Sequence, residues 1–132
     1  MKLGTRATLV KSARKTVDVD FYEEDVSYRL REMMGSERDS FEIAAFKVDE
    51  SGNRVVDPKN LRARLVALCL IGEDGARLYR DDEIEVLNGE VPAGIIGKLF
   101  TAAQKLNGLE ATAVEDAEKN SSSGPPVAST SA

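Results

Sequence analysis

The first structured part of the chain contains two short stretches in which apolar and polar residues alternate. Residues 16–21 place Val17, Val19 and Phe21 on one face, and residues 26–30 repeat the alternation after a polar turn. Alternation is typical of half-buried strands, because successive side chains of a strand point to opposite faces of a sheet. These stretches therefore predict a hairpin, or two neighbouring strands, near the N-terminus.

Beyond these strands, apolar residues recur three and four positions apart, which is typical of helices that pack on a core. We predict a helix over residues 36–48, with Ser36 as its N-cap and Asp39 in a position like that of a capping box. A second helix is predicted to open at residues 57–58, an Asp-Pro pair, and to continue through residues 61–71. Because that last run is nearly all apolar, we expect this helix to be the most buried one.

The remaining pattern predicts a turn over residues 73–75, an extended piece over 76–79 and a brief helix that Asp81 or Asp82 caps and that ends after Leu87. A last helix should start at Pro92 and end at residues 107–109. There Asn107-Gly108 is typical of a left-handed C-cap, and Leu109 is expected to fold back as an apolar contact.

The apolar pattern stops after Leu109, and this sets the predicted domain organisation. Residues 1–15 are predicted to be a basic, flexible N-terminus and residues 16–109 a folded domain. Residues 110–132, acidic and then Ser/Pro-rich, are predicted to be a disordered tail, although 110–119 could form a marginal helix. The predicted fold class is α+β and mostly α-helical, with an N-terminal strand pair packed against three or four short helices.

The charge distribution narrows the range of partners. The 132-residue chain has a net charge of −5, yet its first fifteen residues carry five basic side chains and no acidic one, so the remainder has a net charge of about −10. An acidic body disfavours nucleic acid, because phosphate binding requires clustered Lys and Arg. Neither a secretory signal nor an apolar run of membrane-spanning length is present in the sequence, so we expect a cytoplasmic protein without membrane contact.

The residue types argue against catalysis and against a metal or cofactor site. The chain has no histidine, and Cys69 is its one cysteine and lies in an apolar run, where core packing is the favoured interpretation. Residues 49–60 resemble a calcium loop but have Arg54 and Asn60 where glycine and glutamate belong, which favours a hairpin turn. The carboxylates at residues 81–85 are better explained by a helix start than by acid/base chemistry.

Arg62 and Arg64 interrupt the apolar helix and are the best single-residue candidates for a partner-binding site. They leave the predicted helix about 200° apart, hence on different sides. Each could pair with a carboxylate of a neighbouring element or bind a carboxylate of a partner, and the sequence leaves both possibilities open.

The order of these segments resembles the tail assembly chaperone family of long-tailed bacteriophages, especially proteins of lambda-like phages and prophages. The resemblance extends over about residues 16–121, and the order and spacing of its segments carry it. The segments are VSYRLRE (26–32), GSERDSF (35–41), NLRARLVALCL (60–70), EDGARLY (73–79), LFTAAQKLNGL (99–109) and EKNS (118–121).

The resemblance implies a role that the residue pattern alone does not give. Proteins of this family bind the long tape measure protein, keep it soluble and help to recruit tail tube subunits around it. They act in the cytoplasm of the bacterial host and are absent from the mature virion. Many are also made in a longer form by translational frameshift, and self-association is a further expectation.

Two other function classes remain open at this stage. The chain could be a structural adaptor, such as a minor tail or connector component. More remotely, it could be a small enzyme that uses the carboxylates of residues 81–85, which would require a concave site and a loss of activity in Asp82→Asn.

Overall fold

The computed structural model describes residues 1–109. Residues 110–132, for which a disordered tail was predicted, lie outside the described residues. The elements are α1 (Arg6–Val10), β1 (Thr16–Phe21), β2 (Val26–Arg31), α2 (Gly35–Ala44), β3 (Phe46–Val48), β4 (Arg54–Val56), α3 (Leu61–Cys69), β5 (Leu70–Ile71), a 3₁₀ turn (Asp81–Glu83), α4 (Ile84–Glu90) and α5 (Ala93–Leu106). The predicted α+β class is confirmed.

The two alternating stretches form an antiparallel hairpin, as predicted. Val19 of β1 lies opposite Tyr28 of β2, and Val17 lies opposite Leu30. The inner face of this hairpin buries Val19 and Leu30 in the core. β5 pairs with the other edge of β2, so the sheet has the order β1-β2-β5.

The core lies between this sheet and the helices α3, α4 and α5. Helix α3 contacts α5, α4, α2 and β2, and it buries six of its nine residues, as its apolar sequence predicts. The largest fully buried side chains are Phe41, Leu30, Leu65, Leu87, Val66 and Cys69. Three of these side chains, Leu65, Val66 and Cys69, belong to α3. The prediction of a central buried helix is therefore confirmed.

Helix α5 ends as its sequence predicts. Gly108 has a φ of +67°, and its N–H donates to the carbonyl of Lys105 over 3.2 Å. The N–H of Leu109 donates to the carbonyl of Gln104 over 2.8 Å, and the Leu109 side chain is buried. These two bonds and the apolar contact make the Schellman motif that satisfies the last carbonyls of a helix.

Helix α2 differs from its prediction at both ends. Its N-cap is Met34 rather than Ser36, and the carboxylate that returns to the cap belongs to Glu37, whose Oε1 accepts the Met34 N–H over 2.7 Å. The helix ends at Ala44, so the predicted helical stripe through Val48 was wrong. The chain instead forms β3, which pairs with β4 in a second, two-stranded sheet.

Helix α3 also starts later and ends earlier than predicted. Asp57 is not its N-cap: the Asp57 Oδ1 accepts the N–H of Lys59 over 3.1 Å and shapes a turn before the helix. Asn60, in the left-handed region with a φ of +60°, precedes the first helical residue. The helix ends at Cys69 rather than near Gly72, because the next two residues pair with β2 as β5.

The N-terminal residues contain a helix that the charge pattern does not predict. Helix α1 has no buried residue, and its first turn is closed by hydrogen bonds between Thr5 and Thr8. Arg14 then connects this region to the domain, because its Nε donates to the Glu32 carbonyl over 2.8 Å and its Nη2 lies 2.8 Å from Glu37.

Candidate functional site

Arg62 and Arg64 occupy different surroundings on α3, consistent with the angle between them. Arg62 is exposed, and its Cζ lies 5.6 Å from the ring centroid of Phe100 on α5. Arg64 is half-buried, and its backbone N–H donates to the Asn60 carbonyl over 2.8 Å. Within residues 1–109, neither guanidinium forms an ion pair. Intramolecular pairing, one of the two possibilities for these arginines, is therefore not found in that part of the chain.

Arg62 lies in a groove where the start of α3, the end of α4 and the start of α5 meet. This Arg62 groove has a volume of about 370 Å³ and is lined by Pro58, Asn60, Leu61, Arg62, Asn88, Ala93, Ile96 and Gly97. Asn88 Nδ2 donates to Asn60 Oδ1 over 2.8 Å and joins two of its walls. Arg64 is not among the lining residues.

The Arg62 groove combines apolar surface with one exposed cation. Pro58, Leu61 and Ala93 supply the apolar surface. Arg62 supplies a guanidinium that can bind a carboxylate in a two-pronged arrangement. An amphipathic helix with an acidic residue beside its apolar stripe has this chemistry. None of the side chains that line the groove is a general base or a nucleophile.

Three of the carboxylates of residues 81–85 face arginines of the same segment. Asp81 Oδ1 lies 2.9 Å from Arg77 Nη2, and Asp82 Oδ1 lies 3.2 Å from Arg80 Nε. Glu83 Oε1 accepts the backbone N–H of Arg80 over 2.8 Å, so the capping carboxylate is Glu83 and not Asp81 or Asp82. Because these groups face cations or a backbone donor, they do not form the paired carboxylates that acid/base catalysis would require.

The calcium-like stretch is a hairpin turn, as predicted. Asp49 Oδ1 accepts the backbone N–H groups of Ser51 and Asn53 over 2.9 and 2.8 Å, and Gly52 has a φ of +85°. Asp49 Oδ1, which would be a calcium ligand in such a loop, thus accepts hydrogen bonds within the turn that joins β3 to β4. Among residues 1–109, no group of three or more Cys, Asp or Glu side chains is placed to hold a metal ion.

Cys69 is a core residue, in agreement with its apolar sequence context. Its side chain is fully buried at the end of α3, and its sulfur accepts a hydrogen bond from Asn107 Nδ2 over 3.4 Å. Burial raises the pKa of the Cys69 thiol to about 11. The reactive thiolate is therefore disfavoured at neutral pH.

A second groove lies between β1 and α5. It could not be predicted from the sequence, because its two walls are far apart along the chain. This Lys15–Lys105 groove has a volume of about 530 Å³ and is lined by Lys15, Thr16, Val17, Ala102, Lys105 and Leu106. Three lining residues are apolar, and both lysines are exposed. The sequence shows the apolar spacing within β1 and within α5. It does not show that the two elements lie side by side.

Comparison with known proteins relates the fold to a solved phage structure. The chain is similar to the tail assembly chaperone of bacteriophage HK97, with a TM-score of 0.54 and 20% sequence identity. The match covers 70% of this chain and 85% of that chain. No protein-family model matches the sequence, and no curated protein matches it. The resemblance predicted from the sequence is thereby confirmed for the fold. None of the helices within residues 1–109 has the length and apolar character needed to cross a membrane.

Proposed function

We propose that this chain is a phage tail assembly chaperone, a non-enzymatic protein that acts by binding other proteins. The observation that carries the proposal is the shared fold with the HK97 tail assembly chaperone, which extends over 85% of that chain. The two grooves support it, because both join apolar surface to exposed cationic side chains and so suit protein segments. The proposed site of action is the cytoplasm of the bacterial host.

The proposed client is the tape measure protein of the same phage. Long helical proteins with exposed apolar stripes aggregate unless those stripes are covered. In the proposal, the Arg62 groove covers part of such a stripe while the guanidinium of Arg62 binds a neighbouring carboxylate. The chaperone then helps to recruit tail tube subunits, in some molecules through a frameshifted longer form, and is left out of the mature virion.

Co-expression tests the proposal directly. A helical segment of the tape measure protein encoded in the same genome is expressed with and without this chain, and its soluble fraction is measured after centrifugation. The proposal predicts a large gain in solubility with the chain present. A segment that stays equally insoluble in both cases would overturn the proposal.

A pair of variants assigns the binding to the Arg62 groove. Arg62→Glu should weaken binding of the segment about tenfold, because it replaces the guanidinium by a carboxylate that repels the carboxylate of the segment. Arg54→Glu is the matched control, since Arg54 is also exposed and lies over an aromatic ring, with its Cζ 3.8 Å from the Phe46 centroid on the separate β3–β4 sheet. Equal losses in both variants would remove the groove from the proposal.

Mass spectrometry of purified mature particles separates the chaperone from a structural adaptor. A chaperone is expected in infected-cell extracts and missing from particles. A stoichiometric presence in particles would instead favour a minor tail or connector component.

A further inference from the structure

Strand β1 forms one edge of the three-stranded sheet. Within residues 1–109, the strand order β1-β2-β5 leaves β1 with a neighbour on one side only. An edge strand presents a row of backbone N–H and C=O groups that can pair with an added strand. The question is which of these groups are accessible on β1.

The hydrogen bonds of the hairpin show which β1 residues face outward. The carbonyl of Lys15 accepts the N–H of Glu32 over 2.8 Å, so the backbone groups of Lys15 face β2. In an antiparallel strand, the direction of these groups alternates from one residue to the next. The backbone groups of Thr16, Asp18 and Asp20 therefore face away from the sheet.

Lys98 of α5 covers one end of this edge. Its Nζ donates to the carbonyl of Asp20 over 2.7 Å and lies 4.4 Å from the ring centroid of Phe21. A lysine placed across an edge is one of the ways in which proteins block strand pairing. The accessible part of the edge is thus limited to Thr16 and Asp18.

The side chains beside this accessible part differ in charge between the two faces of the sheet. On the α5 side, the Lys15–Lys105 groove offers two ammonium groups around the apolar surface of Val17, which is 38% exposed. On the opposite face, Asp18 is exposed and pairs with Arg29, whose Nε lies 2.7 Å from Asp18 Oδ1. An added strand would meet cations on one face and the Asp18–Arg29 ion pair on the other.

We propose that the Thr16–Asp18 edge of β1 accepts an extended segment of a partner protein as a fourth strand. The segment carries apolar side chains and a flanking acidic residue on the face toward α5, where the two lysines lie. Main-chain pairing supplies the affinity, and the Lys15–Lys105 groove supplies the specificity. The proposal does not depend on the client assigned to the Arg62 groove, because it uses a separate surface.

A synthetic peptide tests this edge in the full chain. The probe is Glu-Thr-Val-Thr-Val-Thr-Glu, whose symmetrical sequence presents a glutamate to the lysines in either strand direction, and the control is Lys-Thr-Val-Thr-Val-Thr-Lys. Titration of isotopically labelled protein, followed by NMR, should shift the amide signals of Thr16 and Asp18. The glutamate peptide should bind at least about tenfold more tightly than the lysine peptide. Equal binding of both peptides, or shifts confined to other surfaces, would overturn the proposal.

Three variants make the test specific to the edge. Thr16→Pro removes an outward-facing N–H without removing a hydrogen bond of the hairpin, so it should abolish peptide binding while cooperative unfolding is retained. Should that variant fail to fold, the charge reversal Lys15→Glu with Lys105→Glu serves instead, and it should invert the preference between the two peptides. Lys98→Met should strengthen binding, because it uncovers the Asp20 carbonyl.

A second copy of this chain is the competing occupant of the edge. In that case the amide signals of Thr16 and Asp18 would shift with protein concentration in the absence of peptide. Such a result would overturn the assignment to a partner segment, whereas concentration-independent signals are the expected result.

Discussion

The side-chain amide of Asn107 donates a hydrogen bond to the sulfur of Cys69 over 3.4 Å. Its Oδ1 accepts the N–H of Met33 over 2.8 Å, and its Nδ2 also donates to the Ala103 carbonyl over 2.8 Å. One side chain at the end of α5 thus connects the last residue of α3 to the segment that follows β2. Because these groups are half-buried or buried, water cannot readily replace the amide.

The variant Asn107→Ala tests this connection. It leaves the Met33 N–H without its partner, and we expect the free energy of unfolding to fall by about 1–3 kcal/mol. Urea unfolding of the two proteins measures the change. Asn53→Ala, in the exposed β3–β4 turn, is the control and should stay within about 0.5 kcal/mol of the parent chain. A loss at Asn107 no larger than that at Asn53 would contradict the prediction.

Because the pKa of the Cys69 thiol is raised, we expect the free energy of unfolding to fall at alkaline pH. Burial raises its pKa from an ordinary 9.0 to about 11, and the Asn107 hydrogen bond acts in the opposite direction. As the pH rises above 9, the unfolded chain loses this proton before the folded chain does. The contribution is therefore complete below pH 9 and is lost toward pH 11, with a slope of up to about 1.4 kcal/mol per pH unit.

Urea unfolding between pH 8 and 10 measures this slope, and Cys69→Ala should flatten it. The upper limit is chosen because Tyr79 also has a raised pKa, about 12, chiefly through its hydrogen bond to Glu90, and it acts in the same direction at higher pH. An unchanged slope in Cys69→Ala would show that the thiol is not the group responsible.

Glu37 should contribute more to stability than Asp39, the residue that the sequence pattern placed in the capping-box position. Its Oε1 accepts both the Met34 N–H and a hydrogen bond from Arg14, whereas Asp39 is exposed. Glu37→Ala is expected to cost about 1–2 kcal/mol, and Asp39→Ala less than about 0.5 kcal/mol. Chemical unfolding of both variants gives the comparison, and a reversed order would refute the assignment of the cap.

Two glycines, one in the first turn of α5 and one just after its end, should respond to alanine in opposite directions. Gly108 has a φ of +67°, where a Cβ is strained, so Gly108→Ala should destabilise the chain by about 1–2 kcal/mol. Gly94 lies in the first turn of α5 with open space around the added Cβ, so Gly94→Ala should stabilise it by up to about 1 kcal/mol. Thermal unfolding should show one Tm below and one above that of the parent chain. Shifts of the same sign would contradict the conformational explanation.

The parts of the fold that follow from local chemistry could be predicted. The alternation in β1 and β2 and the left-handed end of α5 each depend on neighbouring residues only. The boundary between α3 and β5 could not be predicted, because Leu70 and Ile71 are as apolar as the helix before them. Pairing with β2 converts these two residues to a strand, and that contact is remote in sequence.

The surroundings of the candidate site could not be predicted from the sequence. Arg62 and Arg64 both interrupt an apolar helix, and the sequence left open whether either pairs within the chain. The Arg62 groove also requires Asn88 and Ile96, which other helices bring to it. The Lys15–Lys105 groove and the covering of β1 by Lys98 depend wholly on how α5 packs on the sheet, and no local pattern encodes that packing.

The bonds of Asn107 have a mechanical consequence for whatever follows Leu109. Tension on the chain beyond that residue would not simply unwind α5 from its end, because Asn107 is joined to Met33 and Leu109 is buried. The load would pass into the sheet and the central helix. A partner or extension attached there would thus act on the sheet and α3 through the last turn of α5.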